Sequence, residues 1–64
     1  MRLTRREREV LALLLCGKTN KQIAETLSIS DYTARDHVSS LLKKNGAKTR
    51  AALMAQYMSK QKSR

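Results

Sequence analysis

The sequence predicts an all-α domain of four helices, and three observations lead to that fold class. Apolar residues recur at the spacing of one helical face in four separate segments. A Thr or Ser precedes each segment in the position of an N-cap. No proline occurs in the chain, and no segment alternates apolar and polar residues as a strand would. The helices are predicted over about residues 4–16, 20–27, 31–44 and 50–59, in a single domain that spans residues 1–64.

The first helix is predicted to begin at a capping box. Thr4 and Glu7 have the spacing at which the hydroxyl and the carboxylate each accept from the backbone amide of the other residue. Gly17 is expected to end the helix, because a left-handed residue is needed there. The apolar stripe consists of Val10, Leu11, Leu14 and Leu15. Ala12, Leu13 and Cys16 widen this stripe, so we expect burial on more than one side, with Cys16 as a small apolar filler.

The second and third helices have the spacing of a helix-turn-helix. Thr19 and Gln22 repeat the capping-box spacing, and Ser30 stands where it can cap the third helix. The turn between them covers only residues 28–29. The inward face of the second helix consists of Ile23, Ala24 and Leu27. The inward stripe of the third consists of Ala34, Val38, Leu41 and Leu42. This motif can place its second helix in the major groove of DNA.

The other face of the third helix is predicted to be polar and outward. It carries Tyr32, Thr33, Arg35, Asp36, Ser39, Ser40 and Lys43. Short polar side chains surround one long side chain, Arg35, whose guanidinium can bind the O6 and N7 atoms of guanine with two hydrogen bonds. Asn45 and Gly46 both tolerate the left-handed conformation and are expected to end the helix.

The fourth helix is predicted to have two apolar sides. Thr49 can cap it, and the residues expected inside are Leu53, Met54 and Tyr57, because so short a chain has few other apolar residues to close a core. The side that remains is shallow, so that a second helix could approach it closely. It consists of Ala51, Ala55 and Met58. The basic tail at residues 60–64 is expected to fray.

The charge of the chain favours a polyanionic partner. Fourteen Lys and Arg residues against five Asp and Glu give a formal net charge of +9 over 64 residues. A field of that size on a small domain makes nucleic acid the first candidate and an anionic membrane surface the second. The longest apolar run, residues 10–16, is far shorter than the roughly 20 residues that span a bilayer.

Several other classes of function are disfavoured by composition. One Cys and one His allow neither an intrachain disulfide nor a Cys/His metal site. There are no paired carboxylates in a plausible cleft, no nucleophile beside a base and no glycine-rich phosphate loop, so we expect neither an enzyme nor a cofactor. No signal peptide is recognised, and the unpaired Cys favours a reducing compartment, so the predicted location is the cytoplasm.

A set of matching residues, in register and without a gap, extends from Leu3 to Arg50, within a resemblance that covers the chain from Leu3 to about Met58. It consists of Leu3, Thr4, Arg6, Glu7, Glu9, Val10, Leu11, Gly17, Asn20, Lys21, Ile23, Ala24, Leu27, Ile29, Ser30, Thr33, His37, Val38, Lys44, Gly46 and Arg50. In these residues the chain resembles the LuxR/GerE-type DNA-binding domain of bacterial transcription regulators, which also ends NarL- and FixJ-like response regulators. The resemblance implies a four-helix domain that binds promoter DNA in a sequence-specific manner, usually as a dimer on an inverted or direct repeat.

The resemblance also implies roles for individual residues. Its third helix would read the major groove, with Arg35, Asp36 and Ser39 at the base-reading positions. The positions that tend to hold phosphates are matched by Thr19, Lys21, Ser30, Thr33 and Lys43. On the fourth helix, Ala51 and Ala55 match the usual dimer face, and Met58 lies beside them. RNA polymerase is a further candidate partner.

Three positions depart from the pattern of that family. Ala34 stands where Val is usual, and Asn45 stands where Leu or Met is usual, which removes an apolar contact at the end of the third helix. Asp36 places a negative charge on the helix expected to face DNA. Two interpretations of Asp36 stay open: an ion pair with Arg35 or Lys43, or a carboxylate that simply points aside, against acceptance from the N4 amine of cytosine.

Three hypotheses for function follow, and the first is favoured. They are a sequence-specific DNA-binding module that controls transcription, a module that binds an acidic protein surface, and a basic amphipathic membrane binder. Specific DNA binding should survive an excess of unrelated duplex. The second hypothesis predicts a protein partner and no sequence preference on DNA, and the third predicts binding to vesicles.

Overall fold

The computed structural model describes residues 3–62 of the chain. Within them, four α-helices and no strand are found, which confirms the all-α prediction. The helices are α1 (Arg5–Leu15), α2 (Asn20–Leu27), α3 (Asp31–Lys44) and α4 (Arg50–Lys62). The helix α4 continues to Lys62, beyond its predicted end at about residue 59, while the fraying of the tail stays a prediction; the last two residues of the tail lie outside the described part of the chain.

Each helix begins after a hydroxyl residue that caps it, as the sequence predicts. The caps are Thr4, Thr19, Ser30 and Thr49, whose side-chain oxygens accept from backbone amides at 3.0–3.1 Å. In α1 and α2 the capping box is complete, since Glu7 and Gln22 each accept from the backbone amide of the capping threonine at 2.9 Å. These local bonds satisfy amides that have no partner within the helix, and they fix where each helix begins.

The connections between helices use three residues with positive φ. Gly17 (φ 88°) and Gly46 (φ 65°) follow α1 and α3, as predicted from their conformational freedom. The third is Ser28 (φ 57°), which is the C-cap of α2. A left-handed serine is uncommon, and here it turns the chain so that the amide of Ile29 donates to the carbonyl of Ala24 at 2.9 Å. The tight turn between α2 and α3 therefore depends on one strained residue.

The core is aliphatic and lies where α3 packs against both α1 and α2. It consists of Val10, Leu11, Leu14, Ile23, Ala24, Ala34, Val38, Leu41 and Leu53, all at most 8% exposed. Ala24 and Ala34 are almost fully buried, on the two helices of the tight turn. Small side chains there allow the two helices to approach closely. Leu53 joins α4 to the same core, while Met54 and Tyr57 are partly buried against it, as predicted.

The predicted widening of the α1 stripe is confirmed for Leu13, which is partly buried against the core, and is wrong for Ala12 and Cys16. Ala12 and Cys16 are both exposed, so Cys16 is not a core filler. The reason is angular: Ala12 lies two residues, or about 200°, from both Val10 and Leu14, which face the core. Cys16 is the C-cap, where the chain already leaves the helix axis.

Candidate nucleic-acid interface

The three residues predicted to read bases lie together on the outer face of α3. Arg35, Asp36 and Ser39 are exposed and line one shallow cleft of about 190 Å³. Tyr32 lines the same cleft from the first turn of the helix. The four residues have the spacing i, i+3, i+4 and i+7, which places them on a single stripe. Lys43 is also exposed, four residues beyond Ser39, and extends this stripe toward the C-terminal end of α3.

Asp36 forms no ion pair within residues 3–62, so the pairing with Arg35 or Lys43, one of the interpretations left open for it, is not found. Its carboxylate is exposed and lies between the other two base-reading candidates on the stripe. Without an internal partner, it offers two acceptor oxygens to a ligand. The remaining alternatives are that it accepts from a base or that it points aside.

Two of the phosphate-binding candidates meet at the N-terminus of α3. The hydroxyl of Ser30 accepts from the amide of Thr33 at 3.0 Å and donates to the Thr33 hydroxyl at 2.9 Å. The Thr33 hydroxyl hydrogen stays available to an external acceptor, and the first amides of a helix favour anions. Asp31 in the same turn is exposed, and its carboxylate repels an anion. At this end of α3 the helix amides therefore attract an anion while Asp31 repels it.

A second pair of phosphate-binding candidates lies at the start of α2. Thr19 and Lys21 are exposed there, and Arg50 holds this end of α2 against the start of α4. The Arg50 guanidinium donates from Nη1 to the Asn20 side-chain oxygen at 2.8 Å and from Nη2 to the carbonyl of Lys18 at 2.7 Å. The sequence pattern includes Arg50 but does not predict these contacts, which join residues 30 and 32 positions apart.

Lys43 does not lie with these groups. It is 13 residues from Ser30 along the helix, a distance of about 20 Å at 1.5 Å per residue. The structure therefore divides the five phosphate-binding candidates among three places: the start of α2, the start of α3 and the end of α3.

The inner side of α3 is fixed to α1 by Glu7, a carboxylate only 5% exposed. Its Oε1 accepts from Lys44 Nζ at 2.7 Å and from the Thr4 amide at 2.9 Å, while Oε2 accepts from the Ser40 hydroxyl at 2.7 Å. The hydrogen bond from Lys44, followed by those from Thr4 and Ser40, lowers the pKa of Glu7 from 4.5 to about 2. The carboxylate therefore stays charged at neutral pH.

This cluster corrects the prediction for Ser40 and adds a role that the sequence did not reveal for Glu7. Ser40 was expected on the outward face of α3, but it is partly buried and turns toward α1. The only signal in the sequence is that Ser40 and Lys44 stand four residues apart, on one side of α3. With both held by Glu7, the stripe that carries Arg35 is oriented away from α1.

Asn45 stands where Leu or Met is usual, and its side chain makes hydrogen bonds in place of an apolar contact. Its Nδ2 donates to the carbonyl of Leu41 at 2.8 Å, and its Oδ1 accepts from the Tyr57 hydroxyl at 3.2 Å. Its backbone carbonyl accepts from Gln56 Nε2 at 3.1 Å. These bonds connect the end of α3 to α4, so the asparagine is accommodated as a bridge between the two helices.

The residues predicted to form a dimer face are all exposed. Ala51 and Ala55 lie outside the core on α4, and Met58 is 59% exposed. Met58 also borders an apolar groove of about 310 Å³ between α4 and the end of α1. The groove is lined by Leu15, Met54, Tyr57 and Met58. The two alanines do not line this groove.

The model of the family described as "Bacterial regulatory proteins, luxR family" (GerE) matches residues 1–56 of this chain. The chain belongs to the LuxR family. Its members are DNA-binding transcription regulators and not enzymes. No group of three or more His, Cys, Asp and Glu residues that could hold a metal is present in the described chain. None of the four helices, over residues 3–62, is long and apolar enough to span a membrane.

Similarity to individual LuxR-family proteins extends over most of the chain. It is 50% identical over 52 residues to the transcriptional regulatory protein MctR of Rhizobium johnstonii, covering 81% of this chain and 24% of that protein. The spore germination protein GerE of Bacillus subtilis is 45% identical over 56 residues, with 88% of this chain and 76% of GerE covered.

A third relative is the nitrate/nitrite response regulator protein NarP of Escherichia coli, which is 46% identical over 50 residues. The match covers 78% of this chain and 23% of NarP. The chain therefore spans about a quarter of the length of MctR and NarP, but about three quarters of GerE.

Proposed function

We propose that this LuxR-family domain binds duplex promoter DNA in a sequence-specific manner, with α3 in the major groove. The observation that carries the proposal is the exposed stripe on α3, where Arg35, Asp36 and Ser39 share one cleft. An α-helix fits into the major groove, where each base pair presents a distinct set of donors and acceptors. Arg35 supplies donors for guanine, Asp36 supplies acceptors for cytosine N4, and Ser39 supplies a hydroxyl that can do either.

Phosphate contacts would hold α3 in register on the duplex. We assign them to the candidates at three places: Thr19 and Lys21 at the start of α2, Ser30 and Thr33 at the start of α3, and Lys43 at its end. Such contacts fix orientation and carry no sequence information by themselves. The net charge of +9 supports the same function, because it draws the domain to any polyanion before bases are read.

We further propose that two copies bind together on DNA, in contact through α4. Exposed Ala51 and Ala55 have the spacing i and i+4 and would let the backbones of two helices approach closely, with Met58 at the edge. The face is small, so the pair is expected to be weak in free solution. Adjacent half-sites would then supply the missing affinity by raising the effective concentration of the two copies.

The proposed DNA target also implies a cellular location and a further partner. Promoter DNA in a bacterium lies in the cytoplasm, and a regulator bound there would stand close to RNA polymerase. Both are expectations that depend on DNA binding by this domain.

In vitro selection from a random duplex library tests the proposal. We expect enrichment of one motif, in one or two copies, and retention of that motif in an excess of unrelated duplex. Enrichment of no motif, together with binding that unrelated duplex removes, would contradict sequence-specific recognition and favour a general affinity for polyanions.

A further inference from the structure

One aromatic side chain on the candidate interface, that of Tyr32, contributes no contact that stabilises the described part of the domain. Tyr32 is 79% exposed, the more exposed of the two large hydrophobic residues at the surface of the described chain. Its hydroxyl makes no hydrogen bond within residues 3–62. It therefore contributes to neither the core nor a cap, although it lies between the Ser30 cap and the polar stripe.

The position of Tyr32 is what connects it to a ligand. It lines the same cleft as Arg35, Asp36 and Ser39 and continues their stripe by one turn toward the N-terminus of α3. In a helix-turn-helix, residues near the N-terminus of the second helix contact base edges. The cleft thus combines an apolar wall, a guanidinium, a carboxylate and a hydroxyl on one accessible surface.

The ring of Tyr32, which forms the apolar wall of the cleft, would pack best against an apolar group on the DNA. On the base edges exposed in the major groove, that group is the C5-methyl of thymine, which side chains recognise by apolar contact. We propose that the ring of Tyr32 packs against a thymine methyl and makes the domain prefer thymine at one base pair. This inference rests on the proposed function, because it requires α3 to lie in the major groove.

The alternative for Tyr32 is a hydrogen bond from its hydroxyl to a phosphate. The two contacts use different parts of the side chain, so they predict different effects of two substitutions. Tyr32→Phe retains the ring and removes the hydroxyl, while Tyr32→Ala removes both. Neither is expected to disturb folding, since the side chain is outside the core.

The experiment starts from the duplex that the wild-type domain selects from a random library. Each thymine in that duplex is replaced in turn by deoxyuridine, which retains base pairing and removes only the methyl group. We expect the wild type and Tyr32→Phe to lose about four-fold in affinity at one position, the effect of one buried carbon group. Tyr32→Ala should bind the thymine and deoxyuridine duplexes equally well at that position.

Other outcomes overturn the inference, and they separate it from the proposed function. If a motif is selected but contains no thymine sensitive to the methyl, or if Tyr32→Ala retains the sensitivity, Tyr32 does not read thymine and sequence-specific binding stands. If Tyr32→Phe weakens binding to all duplexes alike while the alanine variant remains methyl-sensitive, the contact is to phosphate. If the wild type selects no motif, both proposals fail.

Discussion

Glu7 carries a negative charge inside the domain, where donors from three other residues hold it. Breaking this cluster by Glu7→Gln should lower the free energy of unfolding at pH 7, because the charged hydrogen bond from Lys44 to Glu7 would be lost and Ser40 would lose one acceptor. The folded-state pKa is depressed to about 2 from 4.5, so the stabilisation is present above about pH 4.5 and is lost as the pH falls toward 2. The difference between variant and wild type should therefore shrink over that interval.

Urea unfolding at a series of pH values measures this difference. Glu9→Gln is the matched control, because Glu9 is on the same helix and pairs with Arg6 at 3.2 Å in an exposed position. We expect the control to retain the wild-type pH dependence. A Glu7→Gln variant whose stability follows the wild-type curve between pH 7 and pH 2 would show that the cluster does not stabilise the fold.

Among the elements, α4 has an exposed face of small and apolar residues outside the core, made of Ala51, Ala55 and Met58. Ala55→Glu should leave the fold intact, since the position is exposed, and should abolish cooperative occupation of a duplex with two half-sites. The introduced carboxylates would lie opposite each other across a two-fold axis and repel. Sedimentation and footprinting on that duplex measure the effect.

Ala12→Glu is the control for this prediction. It makes the same substitution at an exposed alanine of α1, away from the proposed contact. We expect it to retain wild-type cooperativity. Equal cooperativity in the two variants would mean that α4 is not the surface through which the copies meet.

The helices and most of the core could be predicted from sequence because their causes are local. A capping hydroxyl, a stop residue and an apolar period act within a few residues of one another, and all four caps are found. The unpredicted contacts of Glu7 join distant positions: Ser40 and Lys44 donate to it across 33 and 37 residues. Which side of a polar helix turns inward is decided by such contacts, and spacing within one helix does not reveal it.

The candidate site likewise has features that the sequence predicts and features that it does not. The stripe of Arg35, Asp36 and Ser39 follows from helical period and family position, and the structure brings these residues together. Tyr32 is predicted on the same face but without a role, because helical spacing gives the side of the helix and not the extent of exposure or the neighbours in the cleft. Ser28 gave no signal, since nothing in its local sequence requires a positive φ.

At the scale of the whole molecule, the positive charge should make DNA binding depend steeply on salt. If roughly six to ten phosphates are neutralised by the bound copies, affinity should fall by about 10³ to 10⁵ between 50 and 200 mM salt. Lys21→Ala should weaken binding to all duplexes about equally and reduce the slope of log affinity against log salt by about one. Fluorescence anisotropy at several salt concentrations measures both quantities.

Arg5→Ala is a charge-matched control, because Arg5 is an exposed cation in the first turn of α1, outside the candidate interface. It removes the same unit of charge and should change the slope less than Lys21→Ala does. An affinity that is insensitive to salt would contradict phosphate neutralisation altogether.

The central claim is that α3 reads bases in the major groove, and Arg35 provides its most direct test. Each guanine of the selected duplex is replaced in turn by 7-deazaguanine, which lacks only the N7 acceptor of the major groove. We predict that the wild type loses about ten-fold or more in affinity at one guanine, as expected for a charged hydrogen bond. Arg35→Ala should bind about 1–3 kcal/mol more weakly and be indifferent to that replacement. A wild-type domain that tolerates 7-deazaguanine at every position, or an Arg35→Ala variant with the same sensitivity as the wild type, would contradict the claim.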